Sequence, residues 1–177
     1  NNRGDALVDA GRYEEALLDF DKAVELLPKY AMAYYNRGNL YQKQKKYDQA
    51  LADFNYAVRY QRDFDKAYNN RGTLYKETNR LDEALVDYDR AISLNPDYHM
   101  AYNNRGSVYI LQKQYQLAIE DLDKAIAIKP DFAEAFGNRG IAKLKLNNPE
   151  GCVDLKSSAD LGFLPAGEFY RQYCKLQ

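Results

Sequence analysis

Gly4, Gly38, Gly72, Gly106 and Gly140 stand 34 residues apart, and each closes the same triplet, Asn-Arg-Gly. No insertion interrupts the series. A fixed period of this size means one supersecondary unit copied along the chain, each copy burying its apolar face against the next. Such a chain needs no single round core, and its function is expected on a shared surface rather than in one deep pocket.

The 177 residues are 46% apolar, enough for a continuous buried seam. The net charge of −1 lacks the basic excess of nucleic-acid binders, so no nucleic-acid partner is expected. No apolar run reaches the length of a membrane span, and no secretory leader is visible. The compartment stays open, with cytoplasm slightly favoured over a periplasmic or secreted setting. The 17 tyrosines fall mostly on repeat positions, which reads as packing chemistry copied several times.

Within residues 31–64 the apolar spacing is helical twice. Tyr34, Gly38 and Tyr41 mark a first helix, A, over 33–45; Ala50, Leu51, Phe54, Ala57 and Val58 mark a second, B, over 48–60. Lys45-Lys46-Tyr47 reads as the turn between them. Pro96 and Pro130 follow later B helices and stop them. Asp97 and Asp131 then stand as candidate N-caps, Asp131 with Glu134 as a capping box. Glycine inside a helix costs roughly 1 kcal/mol relative to alanine. Five A helices accept that cost, which implies close approach of helix A to helix B. Phe20, Phe54, Tyr88, Leu122 and Leu155 fill the space around that contact.

The pattern Tyr68, Gly72, Tyr75, Ala84, Tyr88, Ala91, Pro96 resembles the tetratricopeptide repeat, and the resemblance extends over residues 1 to about 163. It implies an all-α, right-handed superhelical solenoid of antiparallel helix pairs, one array with a partial repeat at about 1–30, then 31–64, 65–98, 99–132 and 133–164. Departures are Arg62 in place of a proline, and Leu7 and Lys143 in place of the tyrosine. The last repeat has a turn one residue short, after which Gly151, Asp154, Leu155 and Ser158 return to phase. At about 166–176 a capping helix is expected, with Phe169 at the aromatic place and Tyr173 where the glycine would stand.

The residue before each glycine is Arg3, Arg37, Arg71, Arg105 or Arg139, and helix B carries Asp19, Asp53, Asp87, Asp121 or Asp154. A charge copied at one partly buried place calls for a partner copied equally often, so each Arg is expected to pair with an Asp of its own or the neighbouring repeat. One residue earlier stand Asn2, Asn36, Asn70, Asn104 and Asn138. The resemblance places these on the concave groove, where they are similar to the asparagine ladder of O-linked N-acetylglucosamine transferases. An amide offers donor and acceptor together, which suits a peptide backbone whatever its side chains. The alternative is that each Asn bonds to the neighbouring repeat or to water.

Tyr35, Asn39, Lys66, Asn69 and Asn103 are expected beside them, with an apolar patch at Ile110 and Leu111. The place that holds the first clamp lysine in chaperone-tail binders is Asn1, Tyr35, Asn69, Asn103 or Gly137, so such tails are not the expected ligand. His99 stands at the start of a helix A and reads as a solvated turn residue rather than a catalytic base. Cys152 and Cys174 read first as buried thiols and second as a disulfide, too few for zinc. No nucleophile–base pair, phosphate loop or metal cluster is visible, so neither a cofactor nor catalysis is expected. The chain reads as a non-catalytic module binding an extended peptide or protein. The alternatives are a self-associating scaffold, forming a homo-oligomer, or the targeting arm of a larger enzyme.

Overall fold

The computed structural model describes residues 2–174. Eleven helices and no strand occur among them. They run α1 (Asn2–Asp9), α2 (Tyr13–Leu26), α3 (Ala31–Lys43), α4 (Tyr47–Tyr60), α5 (Asp65–Glu77), α6 (Leu81–Leu94), α7 (His99–Leu111), α8 (Tyr115–Ile128), α9 (Ala133–Lys145), α10 (Gly151–Asp160) and α11 (Leu164–Tyr173). The chain forms two compact units, one ending at Leu94 and the other beginning at Asn95. The first holds α1–α6 and the second α7–α11.

In each unit the seam is built from small residues facing large ones. Ala16, Ala50 and Ala84 are fully buried in the first unit beside Phe20, Phe54 and Tyr88, and Ala118 beside Leu122 in the second. A Cβ on Gly72 would stand 2.8 Å from the Tyr88 ring, which is why that place admits no larger residue. The last helix pair is tighter still. A Cβ on Gly151 would meet the Gly140 carbonyl oxygen at 2.5 Å, so two backbones touch where other repeats have a backbone and a side chain. Ser158, fully buried, donates to the Ala133 carbonyl at 2.6 Å and ties α10 to the start of α9.

The A-to-B turns share one geometry. Gly11, Lys45, Asn79, Lys113 and Asn147 all have positive φ, near 60° in the four that are not glycine. After α3, Lys46 N–H donates to the Tyr41 carbonyl at 2.9 Å and Lys45 N–H to that of Gln42 at 2.8 Å. This is a Schellman closure of the helix C-terminus. Tyr47 is therefore the first residue of α4, not part of the turn.

The expected aspartate caps are absent. The N-caps of α7 and α9 are Tyr98 and Phe132, neither with a side-chain cap bond. Both rings are buried, and the first-turn donors turn to backbone instead: Ala101 N–H to Tyr98 at 2.9 Å, Ala135 N–H to Phe132 at 3.1 Å. The position is thus spent on core burial, and Asp97 and Asp131 lie one residue outside it. His99 likewise opens α7, half-buried, edge-on to the Phe132 ring at 4.9 Å. Its place at the start of a helix A is the expected one, whereas its packing on a ring is not; burial, with Lys129 nearby, lowers its pKa.

The final helix starts earlier than 166. Only Gly162, at φ +94°, separates the C-cap of α10 from the N-cap of α11, and the shorter loop advances the register. Buried Ala166 stands three residues after the N-cap, as Ala135 does in α9. Counting on, Arg171 rather than Tyr173 takes the glycine place and Phe169 takes that of Asn138. Positions 175–176 of the expected helix lie outside the described residues.

Candidate functional site

The Asn-Arg-Gly triplet divides its labour between two faces of helix A. Arg37 donates through Nε and Nη2 to the two Asp53 oxygens at 2.8 and 2.7 Å. Arg71 does the same to Asp87 at 2.7 and 2.7 Å, Arg105 to Asp121 at 2.7 and 2.6 Å, and Arg139 to Asp154 at 2.8 and 2.7 Å. Each partner lies in the same repeat. The remaining nitrogen reaches back one B helix: Arg37 Nη1 to Asp21, Arg71 Nη1 to Asn55, Arg139 Nη1 to Asp123. Aromatic rings cover the guanidinium, with Arg71 5.5 Å from the Tyr68 centroid and 5.8 Å from that of Tyr75. Burial raises the Asp53 and Asp87 pKa values, opposed by the arginines beside them. Arg3 also binds Asp19 with both nitrogens, but its side chain is 80% exposed, against 17% for Arg71.

In the first unit the asparagines tie neighbouring A helices together. Asn36 Nδ2 donates to Asp5 at 2.6 Å across α3 and α1. Asn70 Nδ2 donates to Asn39 Oδ1 at 2.8 Å and to Tyr35 OH at 3.1 Å across α5 and α3, and its own oxygen accepts from Asn69. Both hydrogens of the Asn70 amide are thus committed within the fold. Asn69, expected on the groove surface, is buried at 4% exposure. Asn2 and Lys66 are exposed at the starts of α1 and α5, while Tyr35 and Asn39 are half-buried. Between α1 and α3 the same face opens a recess of about 200 Å³, lined by Asp5, Val8, Asp9, Asn36, Asn39 and Lys43 among others. Burial raises the Asp5 pKa.

In the second unit Asn138 Nδ2 donates to Asn103 Oδ1 at 2.9 Å, linking α9 to α7. Asn103 is buried as Asn69 is, and it too is withdrawn from the surface. Asn104 is half-buried. The apolar patch splits: Leu111 is exposed, whereas Ile110 packs against the core cluster of Leu122 and Ala135. A second recess, of about 170 Å³, lies between α9 and α11 and is lined by Ile141, Leu144, Lys145, Phe169 and Tyr173. The places named for a clamp lysine hold half-buried Tyr35 and buried Asn69, Asn103 and Gly137; Asn1 lies outside the described residues.

Two residues matter more than their types suggest. Lys143, standing where the three middle repeats have tyrosine, reaches Asp154 at 2.9 Å and Glu150 at 3.6 Å, so Asp154 receives two cations. The substitution of lysine for tyrosine was visible; the target was not, because the shortened turn moves Glu150 into reach. Cys152 and Cys174 form a disulfide across α10 and the end of α11, not two buried thiols. Among the described residues no group of three metal-ligating side chains converges, and no helix is long and apolar enough to cross a membrane.

Comparison with known proteins gives one family repeatedly. A family model described as TPR repeat matches residues 4–45, and one described as tetratricopeptide repeat matches 31–64, 65–98 and 99–132. No curated protein sequence matches the chain. Among solved structures the chain is similar to YrrB, described as a TPR protein with an unusual peptide-binding site: 26% identity, TM-score 0.73, over 91% of this chain and 84% of that one. It is similar in fold to TTC0263, a thermophilic TPR protein of Thermus thermophilus, at 22% identity and TM-score 0.76 over 97% and 95% of the two chains. The first TPR of Spaghetti (RPAP3), bound to an HSP90 peptide, matches in fold at 24% identity and TM-score 0.65, over 67% and 94%.

Proposed function

The chain belongs to the tetratricopeptide-repeat family, and on that premise we propose that it is a non-catalytic interaction module holding an extended peptide or partner segment along the face of its A helices. The observation that carries the reading is that each unit opens a recess on this face at one register. Ile141, Leu144 and Lys145 of the second recess stand four 34-residue periods after Asp5, Val8 and Asp9 of the first. In each unit a recess between adjacent A helices suits a chain-like ligand better than a compact one. The peptide-binding TPR protein YrrB supports the same reading.

Within it the asparagines have a changed role. Asn36, Asn70 and Asn138 chiefly fix neighbouring A helices at a set spacing, and ligand contact falls to the residues that line the recesses. Lys43 offers a cation in the first unit; Asp5 and Asp9 offer negative charge. This surface holds both signs of charge, which favours a peptide over a nucleic-acid backbone.

The test is selection of a random peptide library on the immobilised chain, followed by capture with Asp9→Arg and Lys43→Glu. Both side chains are exposed, so the fold should persist. The reading expects sequences enriched over a blank surface and a loss of about tenfold in affinity with the paired substitution. No enrichment, or capture indifferent to the substitutions, would sink it.

A further inference from the structure

The recess between α9 and α11 differs in chemistry from its counterpart in the first unit. Ile141 and Phe169 take the register places of Asp5 and Asn36, and Lys145 that of Asp9, while Leu144 and Tyr173 match the apolar Val8 and Leu40. Phe169 and Tyr173 stack at 5.6 Å between centroids and form the α11 wall, both exposed although large and aromatic. Phe169 does so from the register place of Asn138. One cation stands at the rim. Of the two lysines in the last turn of α9, Lys143 is committed to Asp154 and Glu150, whereas Lys145 is exposed and pairs with no described acid.

The α11 wall has little else to hold it. Ala166 is the one buried residue of that helix, and the Cys152–Cys174 disulfide fastens its far end to α10. A short helix with so small a buried face depends on a covalent tie to keep one position.

We propose that this disulfide-held recess is a binding subsite for one bulky apolar side chain of the bound peptide, with a carboxylate beside that side chain paired to Lys145. The proposal rests on the peptide-binding reading and adds the chemistry of the occupant. An apolar cup whose described lining holds one uncommitted cation matches Leu, Met or Phe next to Asp, Glu or a chain-terminal carboxylate. A basic segment would leave Lys145 facing its own charge.

The experiment is the peptide selection described above, carried out on the oxidised chain, with each enriched peptide then titrated against Phe169→Ser, Lys145→Glu and Cys174→Ser. The first two alter exposed side chains, and circular dichroism establishes that they fold. Enriched peptides are expected to pair a bulky apolar residue with an acid. Phe169→Ser and Lys145→Glu should each weaken binding about tenfold. Replacing the peptide's acid by lysine should restore affinity for Lys145→Glu. Cys174→Ser, or wild type in reductant, should weaken binding several-fold. If enriched peptides lose affinity with the first-unit substitutions Asp9→Arg and Lys43→Glu but bind Phe169→Ser and Lys145→Glu unchanged, the groove stands and this subsite falls. Unchanged affinity in reductant overturns the part assigned to the disulfide. Self-association of the chain that is abolished by Phe169→Ser would put a second copy in the recess and overturn the peptide assignment. Absence of any enriched peptide removes the underlying reading as well.

Discussion

Arg71 lies between two tyrosine rings and a buried carboxylate, and that setting fixes what its loss would cost. Asp87 is 2% exposed and accepts both arginine bonds. Removing one member of a buried pair leaves the other charged group without compensation, at about 3–5 kcal/mol. Asp87→Ala is therefore expected to lower the unfolding free energy, read from the denaturant midpoint and slope, by an amount in that range. Arg3→Ala, which breaks the same kind of pair at a site open to water, should lower it far less. Equal losses in the two variants would show that burial does not set the cost. The pairing partner was legible in the sequence because Arg and Asp recur in step, and a buried charge has few other ways to be satisfied. The asparagine beside it was not. An exposed amide and one bonded to the next helix have the same sequence signature, and only the Asn70–Asn39 and Asn138–Asn103 bonds separate them. Burial of Asn69 and Asn103 was hidden for the same reason.

Among elements, the helices were legible from period alone, and their ends were not. In residues 31–64 the apolar spacing puts helix A at 33–45 and helix B at 48–60, against Ala31–Lys43 and Tyr47–Tyr60 in the fold, and the turn depends on backbone conformation that side-chain type only hints at. Gly11, Asn79 and Asn147 suit positive φ; Lys45 and Lys113 occupy it without that advantage. A left-handed residue with a Cβ carries roughly 1–2 kcal/mol of strain, which glycine relieves while losing more chain entropy on folding. Lys45→Gly and Lys113→Gly should each raise stability by about 0.5–1 kcal/mol, read as a higher urea midpoint at unchanged slope. A fall in midpoint would mean that these side chains contribute contacts outweighing the strain. The N-caps were misread because Asp97 and Asp131 fit the pattern of a capping residue, while the fold uses the following aromatic, Tyr98 or Phe132, to bury a ring.

For the whole molecule, function was legible only as a class. A copied helix pair announces a shared binding face, yet the recesses on that face depend on how neighbouring A helices pack and on a disulfide that two cysteines alone do not guarantee. The A-helix face competes with a plain alternative, the outer face of the B helices, where Leu18, Val86 and Val153 are each about two-thirds exposed. Amide and side-chain chemical-shift mapping with an enriched peptide decides between the two faces directly. The account predicts that a peptide perturbs the residues of a recess, Asn39 and Lys43 in the first unit or Ile141, Lys145 and Phe169 in the second, and leaves Leu18, Val86 and Val153 at their free positions. Perturbation confined to Leu18, Val86 and Val153 would contradict it.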